Sequence, residues 1–292
     1  MNPILSIGMP VYNAERWLAD GIESMQRQTF ADFELVISDN ASTDSSLEIA
    51  RRYADADKRI RILRQPRNIG ANGNYSAVLA DARGDLFKWA SVNDLCAPEF
   101  LRRCVESLQA DPDAVLACPR TILFENTPSD GAHYDHDFAL LSQNPVRRFI
   151  DLLNQIQLNN AMNGVIRREA LTRVLGMGTF RSADYLLMAE LALCGKFLLI
   201  DEPMFLRRMS AEASTLMRGK LEAEKHLDPR AKRPRLWQHW RYHLRLLRIA
   251  CRLPPFGFAS WGTIDFALRR IVWSRRELAD DVRTALSRLV AG

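Results

Sequence analysis

Short apolar runs alternate with helix-patterned segments from the start of the chain to about residue 124, and this alternation restricts the possible folds more than any other feature. Residues 4–8 form the first run. Residues 14–27 follow, with Ala14, Leu18, Ile22 and Met25 on one helical face. Residues 33–38 read as a second strand, and Ser45-Ser46-Leu47-Glu48 as a capping box opening a helix through Tyr53. Further strands are expected at 60–63, 85–91 and 114–124, with helices at 71–82 and 98–110. Short β-α-β connections of this kind build an α/β fold: a Rossmann-like, mostly parallel sheet flanked by helices.

Ligands of such sheets bind outside the carboxyl ends of the strands. Four polar segments fall there: Pro10-Val11-Tyr12-Asn13, Asp39-Asn40-Ala41-Ser42, residues 66–70 and Val92-Asn93-Asp94. Taken singly, the first is accounted for by a tight turn and the second by a helix cap. Right-handed crossovers bring all four to one crevice, and that convergence marks a site.

After about Thr127 the pattern loosens. Residues 129–136 read as a polar loop, 145–158 as a helix, 159–164 as an amide-rich connection, Ala183–Cys194 as a helix ended by Gly195, and 197–200 as a late strand. From Glu222 the chain is basic and helical, with Pro254-Pro255 separating two helices. From Leu216 onward there are 17 Lys and Arg against 7 Asp and Glu, whereas the body before it is acidic on balance. The expected organisation is therefore an α/β domain over 1–215 and a basic helical C-terminal extension over 216–292. In the extension Leu236, Trp240, Leu244, Leu247 and Cys251 form a helical stripe beside Arg241, Arg245, Arg248 and Arg252. Such a helix packs on the α/β domain or across a homodimer, or docks on an anionic membrane surface. No nucleic-acid-binding module is visible.

A hydrophobic share of 47% and a charged share of 26% exclude a disordered or fibrous chain. No run of about 18 uncharged apolar residues occurs, so no transmembrane helix is expected. The five cysteines include no CxxC pair and read as buried free thiols of a cytoplasmic protein, peripheral to the membrane if the extension docks there. His239 and His243, four apart, have zinc-like spacing but no evident third ligand among Trp237, Trp240 and Tyr242. No GxGxxG follows the first strand, which argues against a nicotinamide enzyme.

Several motifs in order carry a resemblance: Ile7-Gly8-Met9-Pro10-Val11-Tyr12-Asn13; Glu34-Leu35-Val36-Ile37-Ser38-Asp39 through Asp44; Asn68-Ile69-Gly70 with Asn74; Ala183-Asp184-Tyr185-Leu186; and Gly195-Lys196-Phe197 through Asp201-Glu202-Pro203. Over about residues 4–215 the sequence resembles the family 2 glycosyltransferases of the GT-A, or nucleotide-diphospho-sugar transferase, fold. The resemblance implies an inverting transfer of a sugar from a UDP- or other nucleotide-diphosphate donor to a hydroxyl of a glycan, lipid-linked or small-molecule acceptor. It implies donor contacts from Pro10, Val11, Tyr12, Asn13, Asp39, Asn68, Asn74, Asn93 and Asp94, with Asp39 accepting a hydrogen bond from the base. Asp184 would be the general base. Acceptor recognition would fall on Asn163, Gly164 and the tail.

The chain departs from the family where two or three carboxylates usually hold a divalent metal. Here the stretch is Ser91-Val92-Asn93-Asp94, and only Asp94 is an anionic oxygen ligand. Ser210 stands where a metal-assisting histidine often does. Mg²⁺ or Mn²⁺ is thus expected to be weakly bound or dispensable, with Arg67, Lys88, Arg207 and Arg208 as cations that would neutralise the leaving diphosphate. The same departure leaves open a non-catalytic sugar-nucleotide-binding relative.

Overall fold

The computed structural model describes residues 2–209, 225–227, 229–230, 236–251 and 259–290. The first half of the sheet is parallel, as expected: β1 (Leu5–Val11), β2 (Phe33–Asp39), β3 (Ile60–Arg64) and β4 (Leu86–Trp89) lie in the order β3-β2-β1-β4. All seven residues of β2 are buried, so its continuous apolar run is that of a strand covered on both faces. The connecting helices are α1 (Leu18–Gln26), α2 (Ser46–Ala56) and α3 (Ala71–Ala80). Gly8 lets α3 approach β1, since a Cβ there would lie 2.6 Å from a Val78 methyl. The expected capping box is absent: Ser45 makes no side-chain cap, and Asp44 instead accepts the Ser46 N–H at 3.0 Å. The polar groups of this turn are committed across to the turn after β1.

The second half is mixed. The short β5 (Leu95–Cys96) and helix α4 (Phe100–Ala110) precede β6 (Ala114–Phe124), the two-residue β7 (Ala132–His133) and α5 (Pro145–Gln155). Then come β8 (Val165–Arg167), α6 (Arg168–Arg173), α7 (Ala183–Cys194) and β9 (Lys196–Arg208). The order continues β4-β8-β6-β9-β5, with β8 antiparallel to both neighbours and β9 parallel to β6 but antiparallel to β5. The late strand is therefore 13 residues long, not the four that its apolar core indicated.

The C-terminal helices are α8 (Gln238–Cys251), α9 (Ala259–Trp273) and α10 (Arg275–Val290). Leu246, Ile249, Ala250, Phe266 and Ala267 share one apolar core with Phe149 and Leu152 of α5 and Leu187 of α7. The expected boundary at 215/216, Ser210 and Pro254-Pro255 lie outside the described residues. The stripe read from the sequence needs correction: α8 buries His243, Leu246, Ile249 and Ala250, whereas Leu244 and Cys251 face outward beside Arg241 and Arg248. The helix has two apolar faces, and packing against α7 and α9 selects the other one. Most exposed large apolar side chains of the described residues lie on α8–α10 or at their start, with Trp261 the most exposed at 68%. Cys96, Cys104 and Cys118 are buried thiols as expected, but Cys251 is exposed. His239 pairs with Asp281 at 3.1 Å, and no metal-holding group of three or more His, Cys, Asp or Glu exists among the described residues.

Candidate active site

The crevice begins with two turns that hold each other. Asn13 adopts φ 47°, a left-handed conformation that asparagine tolerates, and this turns its amide toward the loop after β2. Its Oδ1 accepts the Thr43 N–H at 2.9 Å, while its own N–H reaches Ser42 Oγ at 3.1 Å. Glu15 and Asp44 complete the clasp, each accepting a backbone N–H from the other's segment. Asp39 closes β2 directly opposite Val11, is only 1% exposed, and its Oδ1 accepts the Ser42 N–H at 3.2 Å. Tyr12 stands outside at 48% exposure, an open ring face beside this end of the crevice.

The third turn is tied in by amides. Asn40 donates to Asn68 Oδ1 and accepts from the Ile69 N–H, both at 2.9 Å. Asn74, on the first turn of α3, accepts from Ser38 Oγ at 2.6 Å and donates to the Ser38 and Val11 carbonyls at 3.0 and 3.3 Å. Of the two asparagines expected at the donor, Asn74 commits both amide atoms to the strand ends, and Asn68 commits its Oδ1 to Asn40 and the Gly70 N–H. Gly70 caps α3 at φ 79°, and the Leu227 carbonyl occupies the place where a Cβ would project.

Beyond α3 the crevice opens into a cavity of about 450 Å³, where Asp94, Asn163, Asp184 and Arg207 meet Asn72 and Tyr75 of α3. The strand register explains the first meeting. Leu95 pairs with Leu206 across antiparallel β5 and β9, which puts Asp94 opposite Arg207. The Arg208 N–H donates to Asp94 Oδ1 at 2.9 Å. Asp184 enters from the first turn of α7, after Ser182 at φ 58°, and its Oδ2 accepts from Asn159 Nδ2 at 2.9 Å. Burial pushes both carboxyls above the usual aspartate range, against the pull of Arg207 on each. Burial, with Asp94 and Asp184 nearby, also pushes the Tyr75 phenol up to about 12, so it stays protonated. The site therefore places two carboxylates and one guanidinium around a partly desolvated space. A carboxylate of raised basicity suits general-base work near neutral pH.

The family model Glycosyl transferase family 2 matches residues 6–175. The chain belongs to glycosyltransferase family 2. An uncharacterized glycosyltransferase of Haemophilus influenzae is 38% identical over 101 residues, 35% of this chain and 40% of that protein. The chondroitin synthase of Escherichia coli is 24% identical over 228 residues, 77% of this chain and 32% of that one. The match thus spans well under half the length of these relatives. Among solved structures, S. aureus TarS 1–349 in complex with UDP-GlcNAc superposes with a TM-score of 0.67 at 16% identity, covering 93% of this chain and 72% of that one. The mannosyltransferase PcManGT of Pyrobaculum calidifontis, solved with GDP-Man and Mn²⁺, gives 0.57 at 17%, covering 98% and 81%. These likenesses establish the GT-A fold.

Among the described residues, the β4–β5 turn of this family 2 chain does not fit the metal implied by the family. Asp94 supplies the only carboxylate of the β4–β5 turn, and one of its oxygens already accepts a backbone N–H. The Asn93 carbonyl is turned to Arg208 at 3.2 Å, and the Val92 carbonyl lies where a Cβ on Gly21 would come within 3.0 Å. Hard divalent cations want several anionic or carbonyl oxygens around one point, and this turn does not assemble them.

The four expected cations separate by position. Lys88 is 1% exposed, bonded to the Asn163 carbonyl and held over the Phe100 ring at 4.4 Å. Arg208 is clamped over Trp17 at 3.9 Å and bonded to Asn93 and Asn126 carbonyls, with a guanidinium that burial pushes below its usual range. Arg67 is exposed at the third turn. Arg207 and Arg208 both line the cavity from the end of β9. Gly164, expected on the acceptor side, packs instead against β6, where a Cβ would lie 2.6 Å from the Ala117 carbonyl. Sequence reasoning missed Tyr75 and His226 as lining residues, whereas Asn159 opens the amide-rich connection 159–164. The amides of 159–164 were a visible signal; His226, one of three histidines after β9, was not.

Proposed function

We propose that this chain is an inverting glycosyltransferase that uses a nucleotide-diphosphate sugar. The nucleoside lies along the Pro10–Asn13 and Asp39 end of the crevice, and the diphosphate runs past α3 into the cavity beside Asn93 and Asp94. The carrying observation is that Asp184, held by Asn159, faces Asp94 and Arg207 across that same cavity. A donor laid along the strand ends has its anomeric carbon between the diphosphate side and the base. Asp184 takes the proton of the acceptor hydroxyl as its oxygen attacks that carbon, and the nucleoside diphosphate leaves from the opposite face. One carboxylate suffices, because a single displacement forms no covalent sugar–enzyme intermediate. The acceptor is a hydroxyl of a glycan, lipid-linked or small molecule entering near Asn163. The basic C-terminal helices, with Trp261 and Trp273 outward, are the surface for an anionic membrane or a second copy of this chain.

The test is release of nucleoside diphosphate from a panel of UDP- and GDP-sugars with glycan and lipid-linked acceptors, followed by NMR of the new linkage. Inversion of the anomeric configuration is expected, and retention would overturn the mechanism. The incomplete metal turn favours a second reading, a sugar-nucleotide-binding relative without turnover. Tight donor binding with no transfer across the panel would select it.

A further inference from the structure

If a divalent cation is not assembled at the β4–β5 turn, the negative charge that develops on a departing diphosphate has to be met by something else. Of the four cations expected from the sequence, Lys88 is buried under a carbonyl, Arg67 lies at the outer turn, and Arg208, which borders the cavity, has its guanidinium clamped on Trp17 and bonded to two carbonyls. Arg207 also lines the cavity, its charge acts on both Asp94 and Asp184 there, and it is fixed from behind. Its Nη1 donates to Asn160 Oδ1 at 2.6 Å. Asn160, 1% exposed, passes the constraint on: its Nδ2 donates to Asp137 Oδ1 at 3.0 Å. Asp137 accepts in turn from the Thr121 N–H and hydroxyl on β6, at 2.6 and 3.1 Å. A four-member chain of buried or half-buried groups thus sets the direction of one arm of a planar fork that has five donors in all. Register across β5 and β9 puts that fork opposite Asp94, the place where the family's metal turn would act.

We propose that Arg207, positioned by Asn160 and Asp137, binds the donor diphosphate in the role a divalent cation otherwise fills. A guanidinium matches two phosphate oxygens at once, needs no ligand set of its own, and stays charged at any working pH. Asp94 and Asp184 flank it in the free protein and lower the cost of keeping that charge partly desolvated; burial raises both carboxyls, and the opposing pull of Arg207 on each reports the same proximity. When the diphosphate enters, it exchanges with these flanking contacts. The consequence is a donor site whose affinity depends on the second phosphate but not on metal.

This inference rests on the donor-site reading above, and the experiment separates the two. Binding of UDP, UMP, GDP and GMP to the full chain is measured by calorimetry in EDTA and again with Mn²⁺. The wild type is expected to bind one diphosphate with affinities in the two buffers that agree within about threefold. Arg207→Gln is expected to lose about 10- to 100-fold for that diphosphate, the range for charge-assisted hydrogen bonds, and much less for the monophosphate. Arg207→Lys recovers part of the loss, and near-ultraviolet circular dichroism confirms that both variants are folded. Diphosphate binding that disappears in EDTA and returns with Mn²⁺ overturns the proposal, as does an Arg207→Gln variant with wild-type diphosphate affinity. Should the wild type bind neither diphosphate in either buffer, the donor-site reading itself fails and takes this inference with it.

Discussion

Asn159 Nδ2 lies 2.9 Å from Asp184 Oδ2, so the carboxylate proposed as the base is gripped on one oxygen by a residue 25 positions earlier in the chain. A carboxylate accepts and does not donate, which fixes the amide orientation of Asn159. Asp184→Asn is expected to cut turnover by about 10²–10⁴ while donor affinity stays unchanged. More than a tenth of wild-type turnover would show that another group takes the proton.

The pH profile follows from the same contact. Burial holds the Asp184 carboxyl above the ordinary aspartate range, opposed by the Asn159 bond, the N–H groups of residues 184 and 185, and the Arg207 charge. A base must be deprotonated to act, so the acidic limb of kcat/KM should lie above about pH 3.9. Tyr75, Tyr185 and Tyr242 also face this carboxylate and stay protonated through that range, so none of them shapes the limb. Asn159→Ala removes a bond that favours the charged form and should move the limb to higher pH. A limb unmoved in that variant would assign Asn159 to packing alone.

Asp39 has two roles to separate, because its Oδ1 caps the Ser42 N–H as well as facing the proposed base end. Asp39→Asn keeps a capping oxygen and replaces the other acceptor by a donor. Affinity for the preferred nucleoside diphosphate should fall by about 1.5–3 kcal/mol, with the thermal midpoint unchanged. A lower midpoint with wild-type affinity would make Asp39 a turn residue only.

Asn74→Ala deletes three internal bonds and leaves the Ser38 hydroxyl and two carbonyls to find other partners. About 2–4 kcal/mol of stability should be lost, from bonds worth about 1 kcal/mol each and the burial of groups left unsatisfied. Denaturant unfolding measures this. A loss below about 0.5 kcal/mol would mean that water or Gln65, which already bonds Ser38 Oγ, restores the network.

Stability should also carry a signature of Glu34. Burial acts to raise its pKa, but bonds from Ser6 at 2.6 Å, the Arg83 N–H and Arg61 outweigh burial and leave the carboxyl below its ordinary range. A depressed folded-state pKa contributes stability that is present above the unfolded value and disappears as pH falls through the folded one. The midpoint difference between wild type and Glu34→Gln should therefore be largest near neutrality and shrink in acid. A difference independent of pH would locate the effect in packing.

The parallel half of the fold was readable because its signals are local. Each β-α unit carries its own apolar run and its own helical face, and the turns containing Asn13 and Asp39 lie where such units end. The second half was not readable in that way. β8 is three residues long, with only Val165 and Ile166 to announce it, and it is a strand because β4 and β6 flank it. The site divides along the same line. Asp184 and Asp94 are proposed from motifs, whereas placing Arg207 opposite Asp94 needed the register of β9. Successive strand residues point to opposite faces, so adjacent arginines in the sequence have separate fates.

The threading of β9 between β6 and β5 also orders events in time. Within the described residues β5 pairs with β9 alone, and those partners are more than a hundred positions apart in the chain. Contacts between distant segments carry a larger loop-closure cost and form late. During synthesis β1–β4 can assemble as soon as they emerge, but the turn bearing Asp94 has no strand to lean on until residues near 208 arrive. In refolding, amide protection should accordingly appear at β1 and β2 before β5. The nucleoside half of the crevice is an early structure, and the cavity where the chemistry is proposed to happen is the last part of the sheet to exist.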